Sequence, residues 1–204
     1  MKRQRIETMP KRKPNKPVPA RKRPESTAGL RQALSRRTKT DLVTVLLDLA
    51  QADRGILRQL TARFDVPAAP NELVAATRQA IADASDFDER DINRNFDYDY
   101  EAYGEVKRNL GRLIDSGHLR VAMQLALELM KQGSYQVEMS DEGMMTQDIE
   151  ECLNVVLKAL AKCDLPAAEI VAWCSAMLAN DRVGFVAREP LESLRNRLQA
   201  VAAR

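Results

Sequence analysis

The sequence predicts an all-α protein, on the evidence of its composition, the spacing of its apolar residues and the residues that punctuate it. Aromatic residues make up only 4% of the chain, and the 45% that is hydrophobic is rich in Ala and Leu, whereas a sheet favours β-branched and aromatic residues. Apolar residues recur at helical spacing, and Thr, Asp, Asn, Pro and Gly stand between these runs. We expect about eight or nine antiparallel helices in a solenoid-like stack or an irregular bundle.

The most apolar of these helices is predicted from about Leu119 to Gly133. Its apolar residues lie on nearly all sides, so we expect it at the centre of the molecule, with the other helices around it. A polar link, Gly133 to Gly143, is predicted to follow it. The apolar residues of this helix are Leu119, Ala122, Met123, Leu125, Ala126, Leu127, Leu129 and Met130.

Four helices are predicted before the middle of the chain. The first begins at Ser26 or Thr27, and the second is capped by Thr38 or Thr40. The third starts at Asp53 and the fourth at Asn71, ending near Ala84. The apolar residues expected to face inward are Leu42, Val45, Leu46 and Leu49 in the second, Leu57, Leu60 and Phe64 in the third, and Leu73, Val74 and Ile81 in the fourth.

Four further helices are predicted after the acidic segment that follows Ala84. One runs from about Asp99 to Asp115 and is stopped by Gly117. Thr146 caps another, Pro166 occupies the first turn of the next, and a last helix closes the chain. The domain organisation predicted from these elements is a disordered basic Pro-rich arm (1–26), an N-terminal helical subdomain (27–85), an acidic loop (86–98) and a C-terminal helical subdomain (99–204), with the two subdomains either separate or one domain.

The basic arm is the first candidate functional element. Residues 1–24 contain ten Lys or Arg and one Glu, although the net charge of the whole chain is only +3. A flexible basic segment can neutralise phosphates in nucleic acids without reading sequence. A solubilising or targeting tail is the alternative interpretation. The candidate phosphate-binding residues are Lys11, Arg12, Lys13, Lys16, Arg21, Lys22 and Arg23.

The acidic loop is the second candidate. Its alternating Asp and Asn resemble the first half of a calcium-binding loop, but Phe96 replaces the required Gly and Ala102 the required Glu, so no metal is expected. Aromatic residues interleaved with acids are typical of a protein interface. The alternative is that these aromatics only fasten the loop to the helices. The candidate partner-binding residues are Phe96, Asp97, Tyr98, Asp99 and Tyr100.

The polar link is the third candidate. Alternation of Tyr135, Val137 and Met139 suggests a short extended piece, and the link is either a structural loop or the lip of a peptide-binding surface. Its carboxylates could serve acid–base chemistry only if they converged with Asp97 or Asp99, and no His lies nearby in sequence to activate a serine. Tyr135, Glu138, Asp141 and Glu142 are therefore assigned to partner binding.

Enzymatic and cofactor chemistry have little support in the sequence. There is no Gly-rich phosphate loop and no dinucleotide fingerprint. Cys152, Cys163 and Cys174 together with His118 do not have the spacing of a zinc site, so we expect buried thiols, no metal and no cofactor. The odd number of cysteines, the absence of a signal-like or membrane-spanning apolar run and the charged N-terminal stretch favour a cytoplasmic protein that does not enter a membrane.

Three short stretches carry a resemblance to a known group of proteins. They are the run Arg37–Leu60 (RTKTDLVTVLLDLAQADRGILRQL), the helix entry Tyr98–Tyr103 (YDYEAY) and the helix end Leu113–Gly117 (LIDSG). They resemble the helical, repeat-like region that accompanies SWIM zinc-finger proteins in bacteria. The zinc-binding signature of those proteins is absent here, so the resemblance implies a helical scaffold and no finger-based DNA binding.

The sequence therefore predicts a non-enzymatic helical scaffold that binds a protein partner through its acidic, aromatic-bearing surface. The alternative is a protein that binds nucleic acid non-specifically through the basic arm. The oligomeric state is left open.

Overall fold

The computed structural model describes residues 27–64, 68–95 and 97–202, and these ranges confirm the all-α prediction with ten helices and no strands. The predicted disordered arm lies outside these ranges. No helix within them is both long enough and apolar enough to cross a membrane. The helices are α1 (Thr27–Ser35), α2 (Lys39–Ala52), α3 (Arg54–Phe64), α4 (Pro70–Ser85), α5 (Glu89–Arg94), α6 (Tyr100–Asp115), α7 (Leu119–Met139), α8 (Thr146–Leu160), α9 (Ala167–Asn180) and α10 (Arg188–Ala202).

Contacts divide the chain into two compact units, Met1–Ala52 and Asp53–Arg204. The described part of the first unit consists of α1 and α2. Thr38 caps α2 as predicted: its hydroxyl accepts from the Asp41 backbone N–H at 3.1 Å, and the Asp41 carboxylate accepts from the Thr38 N–H at 3.2 Å.

The apolar stripe predicted to face inward from α2 is wrong at three of its four residues. Leu42 is half-buried, but Val45, Leu46 and Leu49 are exposed. Two short helices have too little surface to enclose a core, so helical spacing alone did not guarantee burial.

The second unit contains the hydrophobic core, which α4 to α10 build together. The core is centred on α7, which packs against α4, α6, α8 and α9. The prediction of a central helix is therefore confirmed, and Ala122, Leu125, Ala126, Leu129 and Met130 are fully buried. Helices α4 and α6, which the acidic segment separates in sequence, pack directly against each other. Helix α6 also packs against α8, and α9 packs against α10.

The predicted end of the central helix at Gly133 is wrong, because α7 continues to Met139. A Cβ at Gly133 would lie 2.8 Å from the Cδ1 and 3.1 Å from the Cγ1 of Ile149. Glycine is present here because α7 and α8 approach closely, and a helix can continue through it at a modest cost. Tyr135, Val137 and Glu138 are accordingly helical and not extended.

The acidic segment, predicted as an open loop, contains the short helix α5. Asp88 caps it by accepting hydrogen bonds from the backbone N–H groups of Arg90 and Asp91. Ile92 is buried and joins the core of the second unit. A single apolar residue in six is too weak a pattern to be recognised as a helix, which explains why the sequence did not reveal it.

Helix α3 presents a different face inward from the one predicted. Leu57 and Phe64 are exposed, whereas the side chain of Arg58 is mostly buried among carboxylates. Ionic contacts therefore fasten this helix where an apolar stripe was expected.

Candidate functional site

Helix α5 adjoins the described residues of both stretches assigned to partner binding, 97–100 and 135–142. The amide of Asn93 joins α5 to the end of α7, since its Nδ2 donates to the Met139 carbonyl at 3.1 Å. Its Oδ1 accepts from the backbone N–H of Asp141 at 2.8 Å. One side chain thus satisfies two backbone groups at the end of α7, which would otherwise lack partners.

Tyr135 lies beside this junction, on α7. Its ring packs against Phe87 with centroids 5.9 Å apart, and the Arg182 guanidinium lies 4.8 Å from its centre. Arg182 also forms an ion pair with Glu138. Tyr135 and Glu138 therefore have partners within the protein, whereas Glu142 is exposed and forms no ion pair with a described residue.

The main concave surface near these stretches is a groove of about 490 Å³ between the end of α4, α5 and the start of α6. We call it the acidic groove. Six of its nine lining residues are acidic and the other three are aromatic. They are Asp86, Phe87, Asp88, Asp91, Asp97, Tyr98, Asp99, Tyr100 and Glu101.

Most of the charge in the acidic groove is uncompensated by the described residues. Asp99 alone forms an ion pair with one of them. Asp86, Asp91 and Asp97 are exposed, so their mutual repulsion is reduced by solvent and salt but is not removed. Tyr100, with 64% of its surface exposed, stands among these carboxylates.

Arg58 holds one lining residue of the groove, Asp99, in place. Its guanidinium contacts Asp83 at 2.6 Å, Asp99 at 2.6 Å and Glu105 at 2.8 Å, which ties α3 to α4 and α6. Burial lowers the pKa of Arg58, but the hydrogen bond that it donates to Asp99 and the three negative charges outweigh this effect, so the pKa is raised above its ordinary value. Asp99 also caps α6 by accepting from the Ala102 N–H at 2.9 Å.

Tyr98 lies in the wall of the acidic groove, where contacts with other residues of the protein hold it. Its hydroxyl donates to Asp148 on α8 at 2.8 Å, and its ring meets that of Tyr103 edge-on at 6.3 Å. Burial and the Asp148 carboxylate raise the pKa of Tyr98 to about 12. Tyr98 therefore fastens the segment to α8, whereas Tyr100 is exposed.

The structure brings together Asp97, Tyr98, Asp99 and Tyr100 in one groove, with Tyr135 and Glu138 in the neighbouring patch across Phe87. Phe96 lies outside the described residues, as do Lys11, Arg12, Lys13, Lys16, Arg21, Lys22 and Arg23. Sequence reasoning missed Phe87 and Arg58. Phe87 stands alone in a polar stretch, and an arginine on a helix gives no sequence signal that three distant acids surround it.

The groove does not gather the groups that an acid–base site was expected to need. Asp97 and Asp99 line it, but Glu138 and Asp141 do not. Within the described ranges, no group of three or more His, Cys, Asp or Glu side chains has the arrangement to hold a metal ion. The arrangement offers negative charge and aromatic surface, which suit binding of a cationic group.

Comparison of the chain with protein-family models, with curated proteins and with solved structures found no match. The resemblance to the helical region of SWIM proteins therefore stays a prediction.

Proposed function

We propose that this protein is a helical scaffold whose acidic groove binds a Lys- or Arg-rich segment of a partner protein. The observation that carries the proposal is the group of carboxylates around exposed Tyr100 that lack cationic partners among the described residues. A basic segment would supply the missing counter-charges, and complementary charge raises both the specificity and the rate of association.

The aromatic residues add a reason to favour a peptide over small cations. Tyr100 can stack against an arginine or an apolar side chain, and exposed aromatics are frequent anchors in interfaces. Two of the acids are fixed in place: Asp88 caps α5, and Asp99 caps α6 and pairs with Arg58, so less ordering of this part of the groove is needed on binding.

The test is fluorescence anisotropy of the full chain with a labelled peptide in which Lys and Arg alternate with Leu. Changing Asp86, Asp91 and Asp97 together to Asn should weaken binding by about tenfold, because three favourable charge contacts of roughly 0.5 kcal/mol are lost. It should also flatten the dependence of affinity on salt. Tyr100→Ala should weaken binding by a similar factor.

The control variant has the same net charge change at exposed carboxylates elsewhere, Asp48→Asn, Asp164→Asn and Glu189→Gln. It should bind as the unaltered protein does. Equal weakening by both triple variants would mean that binding depends on overall charge and that the acidic groove is not the site.

A second function rests on the charge of residues 1–24, which hold ten Lys or Arg against one Glu. We propose that this arm binds nucleic acid through phosphates, independently of the groove. Anisotropy of labelled DNA and RNA, with and without residues 1–26 and across salt, tests it. Loss of a salt-dependent affinity on deletion supports the arm, and unchanged affinity would contradict it.

A further inference from the structure

A second concave surface lies along α6, away from the start of that helix. Its volume is about 630 Å³, within the range of small-molecule sites. The floor is formed by α6, and residues of α3 and α8, Thr61 and Val155, border it. We call it the α6 groove.

Two glycines of α6 lie along this floor and leave room for a ligand. A Cβ at Gly111 would have no neighbour within 4 Å. One at Gly104 would lie 3.4 Å from Nη1 of Arg108, so the Arg108 guanidinium extends back along the helix over that glycine. This arginine forms no ion pair with a described residue.

Asn109 provides the observation that points to a ligand. It lines the α6 groove and is 6% exposed, and its Nδ2 has no hydrogen-bond partner among the described residues. A buried amide N–H without an acceptor is costly, and folded proteins rarely retain one without a reason. An oxygen acceptor from a bound molecule would satisfy it.

The charges in the α6 groove indicate which kind of oxygen acceptor the bound molecule carries. Arg58 is already held by Glu105 at 2.8 Å and by Asp83 and Asp99, and Lys107 pairs with Glu151 at 2.9 Å. Arg108 is then available to form a forked pair with a carboxylate or a phosphate, which is the recognition that guanidinium groups perform best. We infer that the α6 groove binds a small molecule carrying a carboxylate or phosphate, held by Arg108 and the amide of Asn109.

The experiment follows the side-chain NH₂ resonances of Asn109 by NMR in the ¹⁵N-labelled full chain. Phenyl phosphate and benzoate are the probes, because they join each anion to an apolar ring, and benzyl alcohol is the uncharged control. We expect a saturable shift with one or both anions and none with the alcohol. The anion that binds more tightly shows whether the groove prefers a phosphate or a carboxylate.

Three variants make the result specific. Arg108→Ala should weaken binding at least fivefold, while Arg197→Ala, which removes an exposed arginine on α10, should leave it unchanged. Asn109→Leu removes the unpaired amide, so this variant should melt higher than the parent and lose the rise in melting temperature that the anion produces. The absence of a saturable shift with both anions, or equal affinity in Arg108→Ala, would overturn the inference.

Discussion

At the scale of single residues, the rule that glycine often ends a helix predicted the end of α6 correctly and the end of α7 incorrectly. Gly117 ends α6 as predicted: it has a positive φ of 83°, and the N–H of His118 bonds to the Leu113 carbonyl at 2.8 Å. Gly133 was expected to do the same for α7, yet it lies in mid-helix against Ile149. Sequence cannot separate these two roles, because the second depends on a neighbouring helix.

The close approach at Gly133 gives a prediction with an internal control. Gly133→Ala should destabilise the protein by about 1 kcal/mol, because crowding against Ile149 outweighs the gain in helix propensity. Gly111→Ala, where the added methyl meets nothing within 4 Å, should stabilise by about 0.5 kcal/mol. Urea denaturation of both variants measures the difference. A stabilising Gly133→Ala would show that α7 and α8 are not in such close contact.

Tyr98 predicts a dependence of stability on alkaline pH. Its pKa is raised in the folded state to about 12, whereas an unfolded tyrosine ionises near pH 10. Between these values the unfolded chain releases a proton that the folded chain retains, so the stabilisation is complete below pH 10 and is lost as the pH rises towards 12.

Tyr98→Phe should therefore lose less stability than the parent over this pH window. Chemical denaturation at several values between pH 9 and about 12 measures it, with Tyr100→Phe as the control because Tyr100 is exposed. Identical pH profiles for Tyr98→Phe and the parent would contradict the buried environment assigned to Tyr98.

At the scale of helices, local signals predicted most of the elements. Thr38 caps α2, Asp99 caps α6 and Pro166 precedes α9, each close to its predicted position. The short helix α5 escaped prediction because it has one buried apolar residue, and its stability comes from contacts with α7. The exposed apolar residues of α2 show the opposite case. Their helical spacing predicts the helix correctly, but it does not determine which surface the helix packs against.

The contribution of tertiary contacts to α5 can be measured through Asn93. Asn93→Ala removes both hydrogen bonds to the end of α7 and should cost about 1–2 kcal/mol. Amide hydrogen exchange should accelerate mainly in 86–95 and 138–142. Asn95→Ala is the control, because Asn95 is exposed and its side chain bonds only within its own helix. Equal effects of both changes would mean that Asn93 does not hold α5 in place.

At the scale of the molecule, the sequence predicted the centre of the core better than its surface. The apolar spacing of α7 indicated a helix buried on most sides, and it contacts four others. The acidic groove was predicted only as a stretch of chain. The contacts of Arg58 with Asp99 in its lining, and with Asp83 and Glu105 beside it, depend on three-dimensional proximity that no local pattern encodes.

A shared core in Asp53–Arg204 predicts cooperative loss of structure. Leu153 is fully buried on α8, so Leu153→Asp should cost at least about 4 kcal/mol by burying an unpaired charge. Thermal unfolding, monitored by circular dichroism, measures the loss of stability. Asn154→Asp is the control, because Asn154 is the half-buried neighbour of Leu153. Near-native stability of Leu153→Asp would show that the core is misassigned.

Hydrogen exchange with mass spectrometry directly tests the claim that the acidic groove recognises a basic segment. The full chain is compared with and without the Lys/Arg/Leu peptide. We expect the bound peptide to slow exchange in 86–95 and 97–104, with little change in α9 and α10. Slower exchange confined to other helices, or none at saturating peptide, would contradict the claim.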